Sequence, residues 1–551
     1  MIAALSVFVM LTACGEDSSK AKTVQSNQVI SEKEETSEVP TVQSNQMILE
    51  TEPTSEACLT PVVRADDLQE IVNSINRVTG GYDLTATISD NTVIVTGTLL
   101  GTPSTSDYYL TLNINAGITV IWQATLSGSS SRALINISDG SGVFELQSGG
   151  SIENTGSGSA IINNSSCTVN IADGVVKAIE ASTISNDSTG IINVSGGTVS
   201  VVHGQVIRGW SSLSYNSAIY NSTGTVNVSD GTVNVLQDGG YAISSYGSSM
   251  VNVSGGIVSA TNGTAIFFNS SGTLKIEGGT VRATTRIAIS ISNNVKVEGR
   301  TVRSTTCKAI VSGGTVASDG NAIFIEGGTL EVSGNAKIIS ANTSRGIITA
   351  NGTIHVAGGV LNINDGTVEN TTSGVAIYNS DYQENYMGDR SPCGTINVNG
   401  GTILAGGNAI YSKGGAVNIS GGTVSTSNGK NPVIEYNGNL KITGGTISAN
   451  ANVSVITYFG YVGGNYKLTL GGNPTITGKI VTAPEKLSVL TTDTEAFAPG
   501  QKTYTLSFEK YAAGDIAVMN GREFLSNFRL NNPDWVLTGS AAHLSVIPAN
   551  R

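Results

Sequence analysis

Charge is scarce in this chain: of 551 residues only 13% are Asp, Glu, Lys or Arg, and only 5% are aromatic. What charge there is leans acidic, 41 Asp and Glu against 29 Lys and Arg, for a formal net charge of −12. Nucleic acids and anionic membrane surfaces reward clustered Lys and Arg, so neither is an expected partner. Histidine is nearly absent. His203, His355 and His543 are the three present, too far apart for a Ser-His-Asp constellation or a histidine metal site to be read from them. No metal or cofactor is expected. No stretch carries the 3.6-residue apolar period of a helical solenoid, and the apolar run of residues 1–13 is too short to span a bilayer.

What the chain has instead is 67 glycines and one short phrase written many times. Ile192-Asn193-Val194-Ser195-Gly196-Gly197-Thr198-Val199 returns at Val226–Val233, at Val251–Val258 and at Val417–Val424. A second phrase, Ala-Ile plus a variable residue, falls at Ala218, Ala242, Ala265 and Ala288, in steps of 24, 23 and 23. A fixed period in this range means stacked supersecondary units. Within a unit the apolar spacing is two: Val226 and Val228 point one way, Thr225 and Asn227 the other, as in a half-buried strand. Gly-Gly or Asp-Gly breaks the strand, Thr232-Val233-Asn234 resumes it, and Ala218-Ile219-Tyr220 gives a third.

Three short strands and three bends close a coil, and stacking pairs each strand with its copy above and below at about 4.8 Å. The expected class is all-β: a right-handed parallel β-helix of roughly 15 coils of about 23 residues, near 70 Å long. A propeller blade needs about 40 residues, which excludes that reading. A calcium-binding β-roll needs an Asp column where this chain has Thr198, Thr280, Thr423 and Thr446. Val226, Val228, Val251, Val253, Ile276, Val417, Ile419 and Ile442 are expected to face inward. The period degrades between Gly299 and Lys337, where a distorted coil is expected, and stretches near Ser380, where a loop is expected.

The chain divides into residues 1–13, a leader; 14–64, a polar acidic tether too poor in apolar residues to fold; 65–99, a cap; 100–478, the β-helix; and 479–551, a C-terminal β cap or small module. In the cap, Asp66 and Asp67 precede Leu68, Ile71, Val72 and Ile75, an amphipathic helix expected over the open first coil. Leu11-Thr12-Ala13-Cys14 resembles the lipobox of bacterial lipoproteins. The resemblance implies cleavage before Cys14, acylation of its thiol, and attachment to a membrane of the cell envelope, outer membrane or cell surface. The coil pattern is similar to the pectin-lyase-like and adhesin repeats. Of the remaining cysteines, Cys167, Cys307 and Cys393 lie several coils apart and Cys58 falls in the tether, so mostly free thiols are expected.

Relatives of that fold cleave acidic polysaccharides with clustered carboxylates, but Asp230, Asp238, Asp319 and Asp365 are scattered. Glu277 and Glu298 read as members of a solvated Lys/Glu ladder. The residue after Ala-Ile is often aromatic: Tyr220, Phe267, Phe324, Tyr378 and Tyr411 should fall along one side of the rod. Irregular segments add Trp210 and Tyr215, then Tyr382 and Tyr386, then Tyr458 and Tyr461, as candidate binding residues on loops. A Thr-x-Ser column (Thr198/Ser200, Thr423/Ser425, Thr446/Ser448) resembles the flat ladders of ice-binding β-helices, but Ile257, Arg282 and Leu404 break it. The expected function is a non-catalytic, adhesin-like rod binding a glycan or a cell surface. The alternatives are a polysaccharide lyase or glycoside hydrolase, and a purely structural spacer.

Overall fold

A computed structural model of the chain describes residues 63–79, 84–102, 109–208, 212–237, 239–292, 294–297, 300–303, 306–343, 352–380, 393–427, 430–449, 453–458, 467–471 and 474–481, with strands 487–490, 504–507, 514–519, 528–530, 535–540 and 543–548 beyond. Almost everything in it is strand. The chain winds as a parallel β-helix with three faces. Thr225–Val228 on the first face pairs in parallel with Ile191–Val194 before it and Met250–Val253 after it. Thr232–Gln237 does the same on the second face and Ser217–Asn221 on the third.

Between Thr119–Trp122 and Asn439–Ile442, thirteen first-face strands stack without a shift of register. One irregular turn adjoins each end, where the register slips at Leu100/Thr102 and at Ser454/Ile456. The regular part is therefore slightly shorter than the repeat count suggests, about 60 Å at 4.8 Å per rung.

The eight residues expected inside, from Val226 to Ile442, are all buried. Each contributes on the order of 2 kcal/mol of apolar transfer. The corner between first and second faces explains the glycine phrase. Gly231 has φ 72°, and a Cβ there would lie 2.3 Å from the carbonyl oxygen of Gly196 one coil away. Only glycine fits, because the left-handed backbone and the close coil-to-coil approach both exclude a side chain.

Asparagine fixes the corner between third and first faces. Asn163, Asn186 and Asn221 are fully buried in consecutive coils. Asn163 Nδ2 donates to Asn186 Oδ1 at 3.0 Å, and Asn186 Nδ2 to Asn221 Oδ1 at 2.9 Å and to the Gly190 carbonyl at 2.8 Å. A second amide ladder lies outside on the first face, where Asn252, Asn227, Asn193 and Asn170 each donate to the next at 2.8–2.9 Å. Lys275 follows Asn252 in that column and ends it.

The ends differ from the sequence reading in detail. Helix α1 (Ala65–Thr79) buries Leu68, Ile71, Val72 and Ile75 and packs on strands Leu84–Ser89 and Leu110–Ile114, so it does cover the first coil. The parallel stack, however, already begins within Thr92–Thr102, which bends at Gly97 (φ 104°) and supplies both the first-face and second-face strands of its coil. At the far end, parallel pairing continues past Thr477 on the first and third faces, through Leu487–Leu490 and Gly514–Met519 and through Tyr504–Ser507 and Phe528–Leu530. An antiparallel hairpin, Trp535–Ser540 with His543–Pro548, finishes it. Among the described residues the second face stops at Thr475–Thr477, and with it the glycine corner that made the repeat recognisable.

The expected distortion between Gly299 and Lys337 is an insertion instead. Asn294–Val297 pairs antiparallel with Arg300–Arg303 as a hairpin outside the stack, while Lys308–Val311 pairs directly with Thr273–Ile276. Lys296-Val297 is therefore not stacked on Lys275-Ile276, and no Lys/Glu ladder of that kind forms. Glu298 lies outside the described residues. Residues 381–392, where a loop was expected, also lie outside them; the strands on either side close the corner through Gly394 N donating to Asn379 Oδ1 at 3.0 Å.

Candidate aromatic binding face

Face three carries the aromatic residues. The register runs Tyr220, Ser244, Phe267, Ser290, Phe324, His355, Tyr378, Tyr411 along one outward column, one residue per rung. The five aromatics that follow Ala-Ile thus do share one side of the helix. They form two clusters that differ in exposure.

The first cluster is open. Tyr215 contacts Tyr241 (5.7 Å between ring centroids), Tyr241 stacks on Phe267 (4.8 Å, 25° between planes), Phe267 meets Tyr246 (5.8 Å) and Tyr246 meets Tyr220 (5.4 Å). All five rings stay at least partly exposed, Tyr215 at 44%. Tyr220 and Phe267 stand two rungs apart, and the rings of Tyr241 and Tyr246, flanking Ser244 on the rung between them, fill the gap. The Tyr241 phenol is held well above its ordinary pKa by burial, then by Tyr246 and Tyr215, while Arg286 acts in the opposite sense. Beneath the rings, Ser217 and Ser244 share a 2.6 Å hydrogen bond.

The second cluster is closed at its centre, while Phe324 and Tyr411 at its ends stay partly exposed. His355 lies edge-on to Phe324 and to Tyr378, each at 5.1 Å, and Tyr378 stacks flat on Tyr411 at 5.5 Å and 3°. His355 and Tyr378 are each only 3% exposed. Lys413 Nζ stands 5.5 Å from the Tyr378 ring centre. His355 Nε2 bonds Ser380 Oγ at 2.9 Å, its Nδ1 has no partner, and burial followed by Lys413 lowers its pKa to about 4. The ring is neutral at physiological pH.

Tyr215 is the candidate loop residue that the structure brings to this face, at the base of the hairpin Gln205–Arg208 with Ser212–Tyr215. Tyr458 ends strand Ser454–Tyr458, is partly buried and packs against the core edge-on to Tyr436, so it stands on a strand rather than on a loop. Cys14, Trp210, Tyr382, Tyr386 and Tyr461 lie outside the described residues. Tyr241 and Tyr246 were missed because neither follows Ala-Ile. They precede and follow it on one strand, Tyr241–Gly247: alternation puts Tyr246, two residues after Ser244, on the face of the variable residue, but puts Tyr241, three before it, on the opposite one, so nothing in the sequence signals the Tyr241 ring.

Two hairpins leave the stack near the open cluster. The first leaves the coil between the second-face strand Thr198–His203 and the third-face strand Ser217–Asn221. The second, Asn294–Val297 with Arg300–Arg303, leaves just after the third-face strand Ile287–Ile291. They therefore depart from opposite edges of the aromatic face. Among the described residues no group of three or more His, Cys, Asp or Glu is arranged to hold a metal ion, and no helix is long and apolar enough to cross a membrane. Cys167 and Cys307 are buried thiols outside any disulfide; burial pushes the Cys307 thiol up to about 12, which leaves it inert. Comparison with protein-family models, with curated proteins and with solved structures found no match.

Proposed function

We propose that this protein is a lipid-anchored cell-envelope rod that binds a glycan, on a polymer or a cell surface, through the third face of its β-helix and without turnover. The observation that carries this reading is the open cluster of Tyr215, Tyr220, Tyr241, Tyr246 and Phe267, five touching rings on the third face. Aromatic faces give large contact area at small entropic cost, and sugar rings stack on them. Rigid strands hold the rings, so little ordering is left to be lost on binding. The lipobox-like Leu11–Cys14 supports attachment through acyl chains, with residues 14–64 as the tether between membrane and rod.

A glycan array tests the reading when it is paired with assays for new reducing ends and for unsaturated uronates. Binding with no product, lost in Tyr241→Ala, supports the rod. Product formation abolished by removing a single carboxylate would establish the polysaccharide lyase or hydrolase instead, and silence in all three assays the structural spacer.

A further inference from the structure

The geometry points to a conformational device on the first face: two asparagine ladders, each set in direction by a carboxylate at one end and an ammonium at the other. One outward column runs along that face, one residue per rung. After Ile121 it reads Glu145, then Asn170, Asn193, Asn227 and Asn252, then Lys275. After Ile310 the same order returns as Glu331, then Asn362, Asn397 and Asn418, then Lys441. All four charges in this part of the column end an Asn run, the acid before it and the base after it. The hairpin of Asn294–Val297 with Arg300–Arg303 leaves the stack between the two blocks.

Donor chemistry sets the direction. A carboxylate offers only acceptors and an ammonium only donors, whereas a side-chain amide offers both and can be turned either way. Beside Glu145 the amide of Asn170 must present its nitrogen, and Asn170 Nδ2 donates to Glu145 Oε2 at 3.4 Å. Its oxygen accepts from Asn193 at 2.9 Å, and Asn227 and Asn252 follow in the same sense at 2.8 Å. The amide oxygen at the far end, that of Asn252, adjoins the rung of Lys275, a donor. In the second block Asn418 donates to Asn397 and Asn397 to Asn362, both at 2.8 Å. Beside it a shorter row, Ser420, Asn399 and Asn364, also ends on Glu331, whose Oε1 accepts from Asn364 Nδ2 at 3.3 Å. The coil itself does not impose this sense, because the buried row of Asn163, Asn186 and Asn221 donates the other way, toward the following coil. Aligned amides add their dipoles as a helix does, and each cap stands at the end where its charge is favoured. Direct attraction plays no part: Glu145 and Lys275 are five rungs apart, about 24 Å, well beyond the screening length of about 8 Å.

The test is hydrogen exchange by mass spectrometry on the full chain, read at the mid-ladder strands Ile191–Val194 and Thr225–Val228. Glu145→Lys sets an ammonium against the Asn170 nitrogen, and Lys275→Glu sets a carboxylate against the Asn252 oxygen. Each reversal should speed exchange in both strands about fivefold. Combining them lets all four amides turn round together, and exchange should return to within about twofold of the natural chain. Single reversals that leave mid-ladder exchange unchanged would overturn the proposal. So would a double variant in which the two effects compound instead of cancelling. A single variant that fails to fold while the double variant folds would support it, and failure of the double variant to fold would overturn it.

Discussion

Asn186 shows how much a single side chain is asked to do in this molecule. Its amide is fully buried, donates to Asn221 Oδ1 and to the Gly190 carbonyl, and accepts from Asn163. Asn186→Ala strips partners from two neighbouring amides and a carbonyl that water cannot reach, a cost of about 2–4 kcal/mol. Urea unfolding should register that loss, whereas Asn227→Ala in the outer ladder should stay within about 1 kcal/mol because solvent replaces its partner. His355 gives a pH dependence. Its folded pKa, about 4, lies below the usual 6.5, so the folded state binds fewer protons than the unfolded chain. The contribution is complete above pH 6.5 and is lost as pH falls through that value to 4, about 3 kcal/mol in all. Stability measured between pH 7 and pH 4 should therefore fall more steeply in the natural chain than in His355→Gln. Parallel curves would contradict the neutral, buried imidazole.

Elements were legible where their spacing is tied to burial. Alternation put Val226, Val228, Ile276 and Ile419 inside, and the glycine phrase located the corners. Alternation carries no information about the partner strand, and that is why Lys296-Val297 read as a rung: a hairpin arm and a coil strand share the same period of two. The start of the stack in Thr92–Thr102 was hidden for a related reason, since its corner at Gly97 lacks the second glycine of the phrase. The insertion reading has a direct check. Because Thr273–Ile276 already pairs with Lys308–Val311, excising residues 294–303 should leave the coil closed and the unfolding free energy within about 1 kcal/mol of the parent. A loss of several kcal/mol would mean that the segment is a rung after all.

At the scale of the whole molecule, a regular stack of short strands is a scaffold, and in the reading proposed above its third face carries the recognition surface. The side of the rod was legible in the sequence from the Ala-Ile phrase. Which rings stay open was not, because exposure depends on what packs above each rung. Tyr220 and Phe267 remain accessible while Tyr378, in the same column, is closed over. Likewise Tyr241 and Tyr246 join the cluster only once the register sets their rung between those two. The account's central claim is that this open cluster binds glycan and does nothing further to it. Co-sedimentation with an insoluble form of the glycan that the array selects, with soluble reducing ends counted in the same tube, tests it most directly. The natural chain should pellet, Tyr241→Ala combined with Phe267→Ala should remain in solution at unchanged fold content, and reducing ends should stay at background in both. Pelleting that survives the double substitution, or reducing ends that rise with time in the natural chain, would contradict it.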